Sequence, residues 1–194
     1  MSESLWAART DDLLRRTASP DPTPGGGSVA AVVGALGVGL MLMAVAITGE
    51  DDALTQHERV LSSLRERIVH AADQDTRDFE ALMAAYRLPG RDDADRNART
   101  QAIEEASIAA TESPLALVEA LAEALAVSHE LEPLVKASVV SDVLAGRDVA
   151  AGAARAAIRT ADINLRELDR LSSPAAPGLR ARRDELANSV EAAA

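Results

Sequence analysis

The sequence predicts an all-α protein, a bundle of about five to seven helices with long central helices. Hydrophobic residues make up 47% of the chain, yet Trp6, Phe79 and Tyr86 are its only aromatics. The core must therefore be built from Ala, Leu, Val, Ile and Met, which suits closely packed helices. Apolar residues also recur at helical spacing over long segments, without strand-like alternation. We expect residues 1–194 to form a single domain.

Charge and cysteine content exclude several classes of function. The formal net charge is −11 and the arginines are scattered, so nucleic acid is not an expected partner. The chain has no cysteine, which excludes disulfides and thiolate catalysis and is compatible with a reducing cytoplasm. Its N-terminus lacks the basic and apolar regions of a signal peptide, so we expect a cytoplasmic protein. The three histidines lack ligand spacing, and no metal site is expected.

The first two helices flank a loop rich in proline and glycine. An amphipathic helix is expected over 3–18, and the loop "SPDPTPGGG" follows it. Ser28 stands where an N-cap is wanted, so the second helix is expected to run from there to about Thr48. Two interpretations of the glycines stay open. Their N–H groups can bind an anion at a helix N-terminus, or they can permit a sharp turn and a close helix contact.

The second helix contains 20 uncharged, mostly apolar residues, from Val29 to Thr48. That length permits a membrane span. However, no Lys or Arg flanks either end and "GEDD" follows at once. We expect a buried central helix instead, and no membrane partner.

The third helix, expected over about 53–88, carries the clearest apolar seam and one acid within it. Asp75 stands at a position that the spacing gives to an apolar residue, so its carboxylate should project into the interior. There it can perform acid–base chemistry or make a structural link to an arginine. The seam positions alternate steps of three and four: Leu61, Leu64, Ile68, Ala71, Asp75, Phe79, Leu82 and Tyr86.

The fourth helix is expected to begin near Ala94 and to bend or restart at Pro114. A short helix over 134–145 should then stop at Gly146. A helix over 148–171 and a last helix from about Pro177 complete the chain. Asp142 and Asn164 lie on otherwise apolar faces, and Ser141 adjoins the first of them. With Asp75, these groups suggest one polar pocket in the bundle, although each can also make a separate core hydrogen bond.

"SPDPTPGGGSVAAVVGALG" resembles the signature of the cyclodeaminase domain of formiminotransferase-cyclodeaminase and of related bacterial methenyltetrahydrofolate cyclohydrolases. The resemblance covers nearly the entire chain. Further matches occur in the expected order: "ADQDTRDFEALMAAYRLP" around Asp75, "ESPLALVE" at Pro114, "SD" at Ser141 and Asp142, and "INL" at Asn164.

The resemblance implies an all-helical homodimer with a folate-binding cleft. It implies closure of formiminotetrahydrofolate with loss of ammonia, or hydration of the methenyl compound, with no cofactor beyond the tetrahydrofolate derivative itself. In that setting Asp75 and Asp142 are the candidate catalytic carboxylates. Candidate substrate-binding residues are Gly25, Gly26, Gly27, Ser28, Asp73, Lys136, Ser141 and Asn164.

Two departures from the family pattern support a competing hypothesis. Family members commonly carry a basic patch where this chain has Glu50, Asp51 and Asp52, and a Gly-Asn pair where it has Val135 and Lys136. A catalytically inactive helical dimer that binds another ligand or a protein partner therefore stands as the alternative.

Overall fold

Six α-helices account for most of the described chain, so the all-α prediction is confirmed. The computed structural model describes residues 4–49 and 52–194, and no strand occurs within them. The helices are α1 (Thr10–Thr17), α2 (Gly26–Thr48), α3 (Asp52–Tyr86), α4 (Asp93–Leu131), α5 (Val140–Arg170) and α6 (Ala176–Ala193), with 3-10 turns at Leu5–Ala7 and Ala137–Val139.

The apolar helix α2 is buried along one face and exposed along the other. It packs against α3 and α5, while α4 packs on both α3 and α5, and α6 lies against α4 and α5. By length and composition alone α2 could cross a membrane, but half of its most apolar window is buried inside the bundle. The main core draws on all these helices, with Val38, Met41 and Leu121 fully buried in it.

Gly146 does not end a helix, contrary to the sequence expectation, because α5 runs through it without a break. Gly146 lies where α5 crosses α2. A Cβ at Gly146 would meet the Gly37 carbonyl oxygen at 2.6 Å, and one at Gly37 would meet the Gly146 carbonyl oxygen at 2.9 Å. The two glycines therefore let the backbones approach closely, and this contact outweighs the low helix propensity of glycine.

Pro114 does not interrupt α4, which continues past it to Leu131. Of the two predicted outcomes, a bend or a restart, the restart does not occur. A proline has no N–H, so the carbonyl of Ala110, four residues earlier, receives no hydrogen bond within the helix. Asn164 of α5 donates its side-chain N–H to that carbonyl oxygen at 2.6 Å. The neighbouring helix thus supplies the hydrogen bond that the proline removes.

The N-terminal segment forms a 3-10 turn and the short α1 rather than one helix over 3–18. The chain is extended at Ala8, between the two. Two hydrogen bonds hold the turn against α3: Leu5 N–H donates to Asp73 Oδ1 at 2.9 Å, and the Trp6 indole N–H donates to the Val69 carbonyl at 2.9 Å. These contacts fix the segment at an angle that a continuous helix could not adopt.

Three acidic residues, Glu50, Asp51 and Asp52, stand in the sequence from the end of α2 to the start of α3, where the resemblance implies a basic patch. Glu50 and Asp51 lie outside the described residues. Asp52 is the first residue of α3 and is exposed to solvent.

Candidate active site

A cavity of about 380 Å³ opens where the N-terminus of α2 meets the C-terminal halves of α3 and α5. We call it the cleft. Its walls are mostly apolar, and its lining includes three carboxylates but no Lys, Arg or His. Nowhere in the described chain do three or more His, Asp or Glu side chains form a group that could hold a metal ion. The lining is Pro22, Thr23, Gly25, Gly26, Gly27, Asp75, Asp78, Phe79, Leu82, Met83, Tyr86, Ala110, Thr160, Ile163, Asn164 and Glu167.

Asp75 binds the N-terminus of α2. Its Oδ2 accepts hydrogen bonds from the Ser28 backbone N–H at 2.8 Å and from the Ser28 hydroxyl at 2.7 Å. Ser28 is fully buried, and its hydroxyl also lies 3.2 Å from Thr76 Oγ1. Backbone N–H groups in the first turn of a helix have no partner within the helix, and they favour a negative charge. Asp75 therefore fills a capping role from a different helix.

This arrangement corrects the expectation that Ser28 is the N-cap. The N-cap is Gly25, and Ser28 is the third residue of α2. A side chain on the cap would ordinarily accept from the N–H of that third residue. Gly25 has no such side chain, so the carboxylate of Asp75 takes its place. The seam acid of α3 is thus linked to a serine and a helix terminus, and not to an arginine.

Gly27 leaves room for Asp75. A Cβ at Gly27 would lie 2.1 Å from Asp75 Oδ1 and 2.6 Å from its Cγ. Any side chain there would displace the carboxylate. Both interpretations of the glycine run therefore apply: an anion does sit at the helix N-terminus, and it is the protein's own carboxylate in close contact.

Asp78 lies in the cleft one turn beyond Asp75 and is half-buried. Burial raises its pKa above the usual 3.8, and the negative charge of Asp75 adds to the rise. Hydrogen bonds from Gln74 and Ser113 and the charge of Arg77 oppose it. A carboxyl whose protonated form is favoured can donate a proton. The sequence interpretation missed Asp78, although its position three residues after Asp75 was a usable signal.

We expect Asp78→Asn to raise stability at pH 7 while lowering activity. The unfolded carboxyl titrates near 3.8 and the folded one higher, so the folded state loses stability as pH rises between the two values. Asparagine removes that loss and can still accept the 2.7 Å hydrogen bond from Gln74. Solvent screening keeps the gain small, about 1–2 °C in Tm. Thermal unfolding at pH 7 and pH 3 checks this, because the gain should vanish at pH 3.

Asn164 lines the cleft and is already engaged with α4. Its Nδ2 donates to the carbonyl of Ala110, which Pro114 leaves without an intrahelical partner. Its amide oxygen accepts no hydrogen bond from any residue that the structure describes. Asn164 therefore has a structural role through one end of its amide and can contact a ligand through the other.

We expect the variants Asn164→Ala and Pro114→Ala to be strongly coupled. Asn164→Ala alone leaves the Ala110 carbonyl unsatisfied, which costs about 1–3 kcal/mol. In a Pro114→Ala background the new backbone N–H can bond that carbonyl, so the same substitution should cost about 1 kcal/mol less. Urea unfolding of the wild type, both single variants and the double variant measures the coupling. Additive effects would mean that the Asn164 hydrogen bond does not substitute for the backbone hydrogen bond that Pro114 removes.

A hydrogen-bonded chain closes the outer edge of the cleft. The Tyr86 hydroxyl donates to Glu167 Oε1 at 2.7 Å, and Arg170 Nε donates to Glu167 Oε2 at 2.9 Å. The hydrogen bond from Arg170 holds the pKa of Glu167 below its usual value, whereas burial and Glu167 raise the pKa of Tyr86. Glu167 therefore carries a negative charge at neutral pH. Neither Glu167 nor Tyr86 was among the predicted site residues, although Tyr86 belongs to the seam.

Several predicted site residues meet in the cleft: Gly25, Gly26, Gly27, Asp75 and Asn164 line it directly, and Ser28 lies behind Asp75. Asp73 does not join them. Its carboxylate accepts the Leu5 N–H, because residues two apart on a helix point in nearly opposite directions.

Ser141, Asp142 and Lys136 lie far from the cleft within one chain. Asp142 is in the first turn of α5, whereas Asn164 is 22 residues further along the same helix. At 1.5 Å per residue this places them about 33 Å apart. Lys136 is at the other end of α2, where its Nζ donates to the Ile47 carbonyl at 2.9 Å. The single pocket suggested by the sequence does not form from these residues in one chain.

Comparisons with known proteins identify relatives of this chain. A family model described as formiminotransferase-cyclodeaminase matches residues 9–172. Methenyltetrahydrofolate cyclohydrolase from Methylorubrum extorquens is 34% identical over 162 residues, which cover 80% of this chain and 76% of that protein. Formimidoyltransferase-cyclodeaminase from Rattus norvegicus is 32% identical over 151 residues, 73% of this chain but only 27% of the rat protein.

The fold also matches a solved structure. The crystal structure of formiminotetrahydrofolate cyclodeaminase from Thermotoga maritima superposes with a TM-score of 0.77 at 20% identity, covering 97% of this chain and 92% of that one. Sequence and fold lead to the same conclusion. The chain belongs to the formiminotransferase-cyclodeaminase family.

Proposed function

We propose that this protein is an enzyme of folate one-carbon metabolism that hydrolyses 5,10-methenyltetrahydrofolate to 10-formyltetrahydrofolate. The observation that carries the proposal is the pair of carboxylates, Asp75 and Asp78, in a cleft with apolar walls and no basic residue in its lining. The methenyl bridge is an amidinium cation that joins N5 of the reduced pterin to N10 beside an aromatic ring, and these rings have apolar faces. An acidic, apolar cleft complements such a cation. The cyclohydrolase name of the Methylorubrum relative supports this substrate.

Hydration requires both protons of the attacking water to be removed and one proton to be delivered to N5. A water molecule attacks the bridge carbon and loses a proton, which neutralises the cation and gives a tetrahedral carbinolamine. The carbinolamine hydroxyl then loses its proton to bulk water as the formyl C=O forms, the N5–carbon bond breaks, and N5 takes up a proton, so that one proton is released overall. In our proposal Asp75 accepts the proton from water, because Ser28 already holds its other oxygen in place. Asp78, with its raised pKa, donates the proton to N5.

The same groups would serve a cyclodeaminase, the second candidate. There N10 attacks the formimino carbon, ammonia leaves after it is protonated, and the methenyl bridge forms. Asp78 would protonate the departing nitrogen and Asp75 would take the proton from N10. The rat relative and the Thermotoga protein are both named cyclodeaminases, which supports this second reaction.

One pair of assays distinguishes the two reactions. Loss of the ultraviolet absorbance of 5,10-methenyltetrahydrofolate, compared with the protein-free rate, measures hydrolysis. Ammonia release from 5-formiminotetrahydrofolate measures deamination. We expect acceleration of the first and retention of the helical fold throughout. Acceleration of only the second would favour the cyclodeaminase.

The competing proposal is a helical protein of this fold without catalysis. It would accelerate neither reaction, and calorimetry would then decide between a folate-binding protein and one with another ligand. The acidic residues Glu50, Asp51 and Asp52, where the family resemblance leads us to expect a basic patch, motivate this alternative. Micromolar binding of a polyglutamated folate would count against a different ligand.

A further inference from the structure

Helix α2 carries an apolar stripe on the face that its own bundle leaves uncovered. The stripe residues are separated by alternating steps of four and three, so each position recurs after seven residues. Leu36 is 63% exposed and Ile47 is 48% exposed, while the opposite face of α2 is buried. A strict seven-residue repeat is the pattern of a helix that packs lengthwise on another helix. The stripe is Val29, Val33, Leu36, Leu40, Met43 and Ile47.

A second copy of this chain is the occupant that fits the stripe. Each copy carries a net charge of −11, yet α2 contains no ionisable residue, so two copies can meet here without opposing like charges. A stripe about 27 Å long is too narrow to bury the roughly 800 Å² per partner of a stable interface. The contact must extend onto α5, which packs beside α2 and exposes Ile163 and Leu144.

The helix dipoles, together with Lys136 at the C-terminal end of α2, favour an antiparallel pairing of the two α2 helices. A parallel pairing would bring the acidic clefts together, each with Asp75, Asp78 and Glu167. An antiparallel pairing about a twofold axis between Leu36 and Leu40 places Val29 opposite the partner's Ile47. Each helix N-terminus then meets the C-terminus of the partner helix, which its dipole also favours.

In this pairing, Lys136 of one subunit lies beside the cleft of the other subunit. Within its own chain Lys136 contacts the carbonyl of Ile47, at the end of the stripe opposite the cleft. In the partner subunit the cleft lies beside Val29, because Gly26 and Gly27 are one turn before it on α2. Arg67 and Arg77 line a separate cavity, where Glu123 and Gln74 engage them. In the dimer, Lys136 of one subunit therefore brings a positive charge to the acidic cleft of the other subunit.

We infer that two copies pair antiparallel along the α2 stripe, and that the partner's Lys136 completes each cleft by binding a carboxylate of the substrate. The inference rests on the proposed function for the ligand, but not for the pairing. It assigns a substrate-positioning role to a residue that lies about 30 Å from the cleft in its own chain.

Cysteine cross-linking tests the pairing without any activity. The natural chain has no cysteine, so introduced thiols report only on their own positions. In the antiparallel dimer Val33 lies opposite the partner's Met43, whereas the two copies of Val33 are about 15 Å apart, beyond the reach of a disulfide. We expect the Val33→Cys/Met43→Cys double variant to form covalent dimers on mild oxidation, and neither single variant to do so.

Sedimentation provides the second measurement. Leu36→Glu should give a folded monomer, and Leu14→Glu, a matched change at a 71% exposed position on α1, should leave the dimer intact. Efficient cross-linking of a single variant would indicate a parallel pairing and overturn the inference. A wild-type protein that sediments as a monomer at micromolar concentration would also overturn the inference. The same holds if the wild type binds phosphatidylcholine–phosphatidylglycerol vesicles and Leu36→Glu abolishes that binding.

Complementation tests the shared site. Asp75→Asn and Lys136→Glu are each expected to lower kcat/KM at least tenfold, and Lys136→Arg to retain most of it. In mixed dimers one cleft carries both substitutions and the other carries neither. Co-expression of the two variants should therefore restore about a quarter of wild-type activity. Activity no higher than the mean of the two variants would mean that Lys136 acts within its own chain or not at all. A wild type inactive on both folates, but cross-linked as expected, would reject the proposed function and leave the pairing standing.

Discussion

The Asp75→Asn variant is expected to lose about 10²–10⁴-fold in kcat while keeping the stability of the wild type. The carboxylate oxygen Oδ2 accepts both hydrogen bonds from Ser28. The single oxygen of asparagine can accept the same two bonds, so the N-terminus of α2 stays capped. The amide cannot take a proton from water at neutral pH. The loss should therefore appear in kcat, measured by the absorbance assay, and not in the thermal unfolding curve.

Asp75→Ala separates the structural role of this residue from its chemical role. Alanine removes the capping group and leaves the buried Ser28 hydroxyl and N–H without Asp75. We expect this variant to lose about 1–3 kcal/mol of unfolding free energy in addition to activity. If both variants were equally destabilised, asparagine would not be accepting the Ser28 hydrogen bonds. If Asp75→Asn retained full turnover, Asp75 could not be the base.

The part of the site that the sequence predicted came from helical periodicity. The seam of α3 identified Asp75 as an acid on an apolar face, and α3 runs from Asp52 to Tyr86, close to the predicted limits. The partner of Asp75 could not be predicted in this way. Ser28 is 47 residues away in sequence, and nothing in the spacing of either helix indicates that a side chain of one caps the other.

The two predicted helix breaks that do not occur, at Gly146 and at Pro114, share one physical cause. Gly146 and Pro114 both disfavour a helix by local propensity, and in both cases a contact from a distant helix outweighs that preference. At Gly146 the missing side chain permits the crossing with α2, and at Pro114 the amide of Asn164 satisfies the free carbonyl. The continuity of α5 then separates Asp142 from Asn164. Asp142 and Asn164 therefore do not meet within one chain.

Gly146→Ala is expected to cause the largest loss of stability among the variants considered. The added methyl would lie 2.6 Å from the Gly37 carbonyl oxygen and 3.0 Å from Met41 Cγ. The first of these atoms belongs to the backbone of a buried helix and cannot rotate away. The α2 and α5 helices must separate, which costs about 3 kcal/mol and lowers Tm by roughly 6–12 °C.

Gly152→Ala is the matched control, because it is the same substitution on the same helix. No atom lies within 4 Å of a Cβ built there, so the change should raise stability by about 0.5–1 kcal/mol through helix propensity alone. Thermal and urea unfolding of both variants measures the difference. Equal effects would mean that the α2–α5 crossing can relax at no cost. We expect only Gly146→Ala to lose stability. We also expect this variant to lower turnover, because the same two helices line the cleft, where Gly26 of α2 faces Thr160 of α5.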